Sequence, residues 1–221
     1  MIARSIAVTT HGRYLVELPA AGPSRGLIVG FHGYAESADL ALGRLQALGG
    51  SAHWTLVAIQ GLHRFYRGRS TDVVASWMTR QDRELAIEDN AAYVAAVVEA
   101  VRQESAGESP LVFAGFSQGV AMAFRAACAS KAPVSGVVAV GGDVPPELSG
   151  RQLSRLPGVL LARGAADEWY TPAQWEEDQT RLRAARVDVT AVAFDGGHEW
   201  HTDVSHAAGA WLDAMARRAP G

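Results

Sequence analysis

Only one cysteine stands among the 221 residues, so no disulfide can form within the chain and a stapled, disulfide-dense scaffold is excluded. Cys128 falls in an Ala-rich, helix-like run, where it reads as a small buried hydrophobe rather than a reactive thiol. No apolar stretch approaches the roughly 18 residues of a membrane span, and Met1 to Ile6 opens no long apolar run of the kind a signal peptide needs. Surplus charge is also scarce. Lys and Arg number 20 against 23 Asp and Glu, a net charge of −3, so no basic face is demanded and nucleic acid is not expected as a partner. Repeats, low-complexity tracts and linkers are missing too, and the expectation is a single domain over residues 1–221 with a cytoplasmic location. Composition leaves the oligomeric state open between monomer and homodimer.

What is present is a chain with 48% hydrophobic residues, enough for a sizeable core, arranged as short apolar runs between helical patterns. Ser5 to Thr9 and Arg13 to Leu18 read as two strands joined at His11-Gly12, an N-terminal hairpin. Continuous apolar runs at Gly26–Phe31, Thr55–Ile59, Leu111–Ala114, Val134–Val140 and Gly158–Arg163 read as strands buried on both faces, and Asp188–Phe194 as a further strand. Between them, helices are expected from Ser37 or Asp39 to about Leu48, from Asp82 to Glu104, after Ser117, over Pro172–Ala185 and over Ala207–Arg218. Leu85, Ala86, Asn90, Tyr93, Val94, Val97, Val98 and Val101 mark the buried face of the longest helix. Strands alternating with helices predict an α/β fold: a mostly parallel sheet, covered on both faces, with the hairpin as an antiparallel edge.

The run Ala114-Gly115-Phe116-Ser117-Gln118-Gly119-Val120 changes from strand-like to helix-like at the serine. A serine between glycines at such a junction is presented on a sharp turn, because only small neighbours let strand and helix approach so closely. A hydroxyl is a weak nucleophile at neutral pH; it needs a base, and the base needs a carboxylate to hold its tautomer. Asp167 lies just past one apolar strand and His198, preceded by Gly196-Gly197, just past another, in the order serine, acid, histidine. Glu168, Asp195 and Asp143 are alternative acids and His201 an alternative base; His11, His53, His63 and His206 lack a strand-end setting. Two backbone donors are required for the developing oxyanion. The N–H of Gln118 is placed by the turn itself, and that of Tyr34 by the loop after Phe31, where His32 reads as a loop organiser.

In these residues the chain resembles the phospholipase/carboxylesterase family of α/β hydrolases. Phe31-His32-Gly33, Ser76-Trp77, Gly115-Phe116-Ser117-Gln118-Gly119, Gly164-Ala165-Ala166-Asp167 and Gly197-His198 stand in the family's order. The resemblance implies an α/β-hydrolase fold without a separate lid domain and a catalytic triad of Ser117, Asp167 and His198. It further implies an oxyanion hole from the Tyr34 and Gln118 N–H groups, and hydrolysis of a small carboxylic ester or thioester without cofactor or metal. Lactones and small amides are alternative substrates for the same triad, and a non-catalytic binding protein on the same fold a remoter one. Departures from the family pattern bear on substrate. Met78-Thr79 follows Ser76-Trp77, Ala35 replaces a glycine, and the acid is followed by Glu168-Trp169-Tyr170-Thr171-Pro172. Trp77, Trp169 and Tyr170, with Tyr34, are thus expected to narrow the pocket toward short or medium acyl chains. Arg64 and Arg67, in a loop with aromatics, are candidates for binding an anionic group of the substrate.

Overall fold

A computed structural model describes residues 1–104 and 110–218, with the side chains of residues 216–218 left out. In chain order the elements are β1 (Tyr14–Glu17), β2 (Leu27–Phe31), α1 (Ala38–Gln46), β3 (Thr55–Ile59), β4 (His63–Tyr66), β5 (Val73–Ser76), α2 (Arg83–Glu104), β6 (Leu111–Phe116), α3 (Gln118–Ala129), β7 (Gly136–Val140), α4 (Gly150–Leu153), β8 (Gly158–Gly164), α5 (Pro172–Ala184), β9 (Asp188–Phe194) and α6 (Thr202–Arg218). Seven strands form one sheet in the order β1-β3-β2-β6-β7-β8-β9, and β4 pairs with β5 in a separate two-stranded sheet. All neighbours in the large sheet run parallel except β1, which is antiparallel to β3. This is the α/β-hydrolase arrangement the sequence led us to expect.

Each central strand serves two cores, as its unbroken apolar composition requires. Val29, Phe113, Val137 and Leu161 point into a cluster shared with α2, α3 and α5; Ile28, Val112, Val138 and Leu160 point the other way, toward α1 and α6. On the first face α3 is held by the fully buried Met122 and Phe124, on the second α6 by Val204, Ala208 and Leu212. The helices begin at chemically definite points. Ser37 accepts the N–H of Leu40 at the start of α1, and a capping box of Thr171 and Gln174 opens α5 on Pro172.

Three local expectations need correction. The N-terminal hairpin does not form: Ser5–Thr9 is exposed and lies outside any strand, and the antiparallel edge is the single strand β1. His11-Gly12 is not a hairpin turn because it is used elsewhere. The Tyr93 ring packs on Gly12, the Tyr93 hydroxyl donates 2.7 Å to the Arg13 carbonyl, and Arg64 donates to the His11 carbonyl. The segment with Arg64 and Arg67, expected as a loop, forms β4 and the turn into β5, which meets the main body at the bridge between Glu36 and Ala75. Finally, Leu85 faces outward at 44% exposure, since the buried stripe of α2 begins on the next residue with Ala86.

The strand order opens a crevice at one end of the sheet. The chain passes from β2 to β3 on one side and then returns to β6 on the other, so the loops leaving β2 and β6 part in opposite directions. Such a switch opens a crevice beyond the carboxyl ends of the strands. Ser117 stands there, directly after β6.

Candidate active site

Ser117 adopts φ 52° and ψ −122°, a region that a residue with a Cβ enters only when its surroundings enforce it. Those surroundings are glycines and one backbone bond. A Cβ on Gly115 would stand 2.5 Å from the Gly119 carbonyl oxygen, and one on Gly142 equally close to the Ser117 carbonyl oxygen. The Ser117 N–H donates 2.9 Å to the Val140 carbonyl of the neighbouring strand β7. The turn is therefore clamped between two strands, with its hydroxyl directed outward.

His198 and Asp167 arrive from the next two strand ends. His198 Nε2 lies 2.9 Å from Ser117 Oγ, and its Nδ1 lies 2.9 Å from Asp167 Oδ2. The loops bearing them are laced together, the Ala165 N–H donating to the Phe194 carbonyl and the Ala166 N–H to that of Gly196. The other oxygen of Asp167 accepts the N–H groups of Trp169 (2.9 Å) and Tyr170 (3.0 Å), so a carboxylate 1% exposed has donors on both oxygens. The alternative acids stand elsewhere: Glu168 and Asp195 are exposed, and Asp143 lies on the wall of the cavity. His201 accepts the Asp203 N–H at the start of α6 and stacks on Phe194, a capping role.

The loop after β2 is equally constrained. His32 is fully buried; its Nε2 accepts the Gly61 N–H (2.9 Å), which leaves Nδ1 to carry the proton and donate to the Gly33 carbonyl (2.7 Å). Burial pushes its pKa below the ordinary value, outweighing the Gly33 bond, so the ring is kept neutral as this bonding needs. Glu36 accepts the Gly33 N–H and a two-pronged bond from Arg44. Burial alone would raise the Glu36 carboxyl, but the Arg44 bonds and charge hold it below its usual range. Arg44 in turn sits over Phe116, its Cζ 4.0 Å from the ring centre.

With Gly33 N–H on Glu36 and Ala35 N–H on the Ala75 carbonyl, the Tyr34 N–H between them has no acceptor among the described residues. Nor has the N–H of Gln118, the first residue of α3. Gly119 brings these two segments together, since a Cβ there would stand 2.6 Å from the His32 carbonyl oxygen. The Gln118 side chain fixes the segment after β5: its Oε1 accepts the Trp77 N–H (2.9 Å), and its Nε2 donates to the Met78 carbonyl (3.0 Å).

Beside Ser117 opens a cavity of about 220 Å³, lined among others by Met78, Arg83, Gln118, Arg125, Asp143, Trp169, Tyr170 and His198. Of the aromatics expected there, Trp169 (79% exposed) and Tyr170 take part. Trp77 does not: it is fully buried in the core, donating its indole N–H to the His32 carbonyl and stacking on His32. Arg64 and Arg67 are absent from this wall as well; they donate to the His11 and Ala35 carbonyls on the exposed β4–β5 hairpin. Tyr34 presents its ring outward against Phe65.

Several supporting groups are not apparent from motif and spacing. Arg163 is buried at the end of β8 and donates to the carbonyls of Tyr170 (2.6 Å), Asp167 (3.1 Å) and Ala165 (3.4 Å). A charged residue closing an apolar strand is the signal that marks it. Asp178 accepts the Tyr170 hydroxyl and the Val144 N–H, tying α5 to both cavity loops, and burial pushes its carboxyl up to about 6. Its spacing within α5 carries no such signal. Asn90, which sequence periodicity places on the buried stripe of α2, bonds the Leu62 N–H and the Trp77 carbonyl.

The sequence profile of the family described as phospholipase/carboxylesterase matches residues 18–204. Among solved structures, acyl-protein thioesterase 2 of Zea mays superposes with a TM-score of 0.74 at 20% identity, over 93% of this chain and 100% of that one. A carboxylesterase from Mesorhizobium loti gives 0.74 at 21% identity, over 91% of this chain and 94% of that one. The Bacillus cereus carboxylesterase gives 0.73 at 16% identity, over 92% and 94%. At these identities the structural likeness is one of fold.

Proposed function

The chain belongs to the phospholipase/carboxylesterase family, and on that premise we propose that it is a serine hydrolase of carboxylic esters with short to medium acyl chains, working through Ser117, His198 and Asp167. The observation that carries this reading is the unbroken path from Asp167 to His198 to Ser117, 2.9 Å at each step, ending on a serine held at φ 52°. His198 Nε2 takes the hydroxyl proton as Ser117 Oγ adds to the ester carbonyl; Asp167 stabilises the imidazolium through Nδ1. The oxyanion of the tetrahedral intermediate accepts the Tyr34 and Gln118 N–H groups, which have no acceptor among the described residues and are pre-positioned for it. Collapse breaks the bond to the leaving alcohol, which departs with the proton from His198. Water, deprotonated by the same histidine, then releases the acid and restores the serine.

Size supports the chain-length preference. A cavity of about 220 Å³ lies below the range of about 300–1,000 Å³ usual for drug-sized ligands. A series of p-nitrophenyl esters should give its highest kcat/KM between acetate and hexanoate, with an acyl thioester of matched length run beside it. Ser117→Ala should lose the burst and about a millionfold in turnover, the scale seen when a catalytic serine is removed. Wild-type turnover in that variant would remove Ser117 as nucleophile, and a maximum at dodecanoate or beyond would overturn the size preference.

A further inference from the structure

The cavity beside Ser117 holds more cation-donor capacity than its own acids use. Gln118, Ala121 and Arg125 line it at spacings of three and four along one face of α3, which places Arg125 about 10 Å from the nucleophile turn along the helix axis. Arg125 is 6% exposed, an unusual burial for a guanidinium. Its Nε and Nη2 are engaged by Glu147 Oε1 at 2.8 and 2.6 Å, whereas among the described residues its Nη1 meets only the Met78 thioether sulfur at 3.8 Å, a weak acceptor. Arg83, opposite on the first turn of α2, makes no hydrogen bond or ion pair among the described residues. Asp82 before it holds φ 48°, so the chain bends sharply at the point where Arg83 meets the cavity.

From this geometry we propose that the cavity is a carboxylate subsite, Arg83 and Arg125 forming its donor wall, and that the ester cleaved at Ser117 carries a carboxylate on a short arm. The proposal rests on the esterase reading above. Guanidinium groups suit a carboxylate because their parallel N–H bonds match its two oxygens, and burial of Arg125 keeps water from competing. Asp143 stands on the same wall and sharpens the class: its negative charge opposes a dianion, so a carboxylate is favoured over a phosphate monoester. The small cavity volume limits the arm to a few carbons. The carboxylate can sit on the acid side of the ester or on the alcohol side, and the two are separated by experiment.

The test compares isosteres. On the acid side, p-nitrophenyl hemisuccinate is set against its methyl-capped neutral counterpart; on the alcohol side, O-acetylglycolate against its methyl ester. A phosphate-bearing acetate ester completes the set. We expect the carboxylate form to exceed its neutral partner at least tenfold in kcat/KM on one side, mainly through KM, and the phosphate to gain less. Arg83→Ala should cut that ratio at least tenfold and Arg83→Lys should restore part of it. Arg125→Lys should lower the ratio too, and is preferred to alanine because it keeps a cation beside Glu147. A ratio near one on both sides, or one indifferent to Arg83→Ala, overturns the subsite; if the neutral esters are still cleaved in a Ser117-dependent way, the esterase reading survives alone. Should no ester be cleaved through Ser117, succinate decides the subsite directly: it should raise the melting temperature of the wild type and not of Arg83→Ala, and an equal shift or none in both overturns the proposal.

Discussion

The end of β8 with the loop that follows it and the β4–β5 hairpin are similar in composition, each joining arginine to bulky aromatics, but their polar atoms go to different places. In the first, Arg163 is buried and spends its guanidinium on three carbonyls, Asp167 receives donors on both oxygens, and Tyr170 is anchored on Asp178. In the second, Arg64 and Arg67 are exposed, each donating to one backbone carbonyl, and Tyr66 is 65% exposed. The difference teaches that an arginine positions a site when burial makes its hydrogen bonds obligatory. On the surface the same residue competes with water and is worth little.

The comparison can be broken at its strongest point first. Asp167→Asn should lower kcat about ten-thousandfold on a neutral activated ester. The amide can still accept the Trp169 and Tyr170 N–H groups, but it offers His198 Nδ1 a donor and so favours the wrong tautomer. Single-turnover kinetics would show the loss in acylation; retention of more than a tenth of the rate would move the acid elsewhere. Arg163→Met comes next. Two buried carbonyls and a half-buried one lose their donor, so unfolding free energy measured in urea should drop on the order of 3 kcal/mol, with kcat falling tenfold or more as Asp167 loosens. A variant as stable and active as the wild type would make that network decorative.

A smaller effect is expected from pH. The His32 pKa is lowered in the folded protein, so between that value and the unfolded value of about 6.5 the unfolded chain binds more protons. Its contribution to stability is therefore complete above pH 6.5 and is lost as pH falls below it. Urea midpoints of His32→Gln, which keeps a donor and an acceptor, should fall less steeply from pH 7.5 to 5.5 than those of the wild type; parallel curves would assign the dependence to other groups. Smallest of all, Arg64→Ala and Arg67→Ala should each leave kcat/KM for a neutral ester within about twofold and stability within about 0.5 kcal/mol. A tenfold loss in either would return the hairpin to the site.

Much of this site is legible in the sequence because its chemistry needs particular residues at strand ends. Ser117 between glycines, Asp167 and His198 each follow an apolar run, and parallel strands gather their carboxyl ends at one edge of the sheet. The cavity wall is less legible because it is assembled from segments far apart in the chain. Arg83 stands on the first turn of α2, Arg125 two turns into α3 and Asp143 after β7; no spacing relates them. Trp77 shows the opposite failure, an aromatic beside a recognisable motif that faces the core. The N-terminal hairpin fails for a related reason, since the turn residues His11 and Gly12 are claimed by Arg64 and Tyr93 from elsewhere.

By itself, then, the sequence determined the alternation of strand and helix, the two-faced burial of the central strands and the serine turn. All of these depend on near neighbours: side-chain period, small residues at a tight bend, apolar runs of strand length. Which arginines are buried, which carboxylate meets the histidine and which backbone N–H groups are left unpaired were decided only by the tertiary structure. Those outcomes depend on which distant segments exclude water from one another, and burial turns a polar group from a solvated ornament into an obligatory bond.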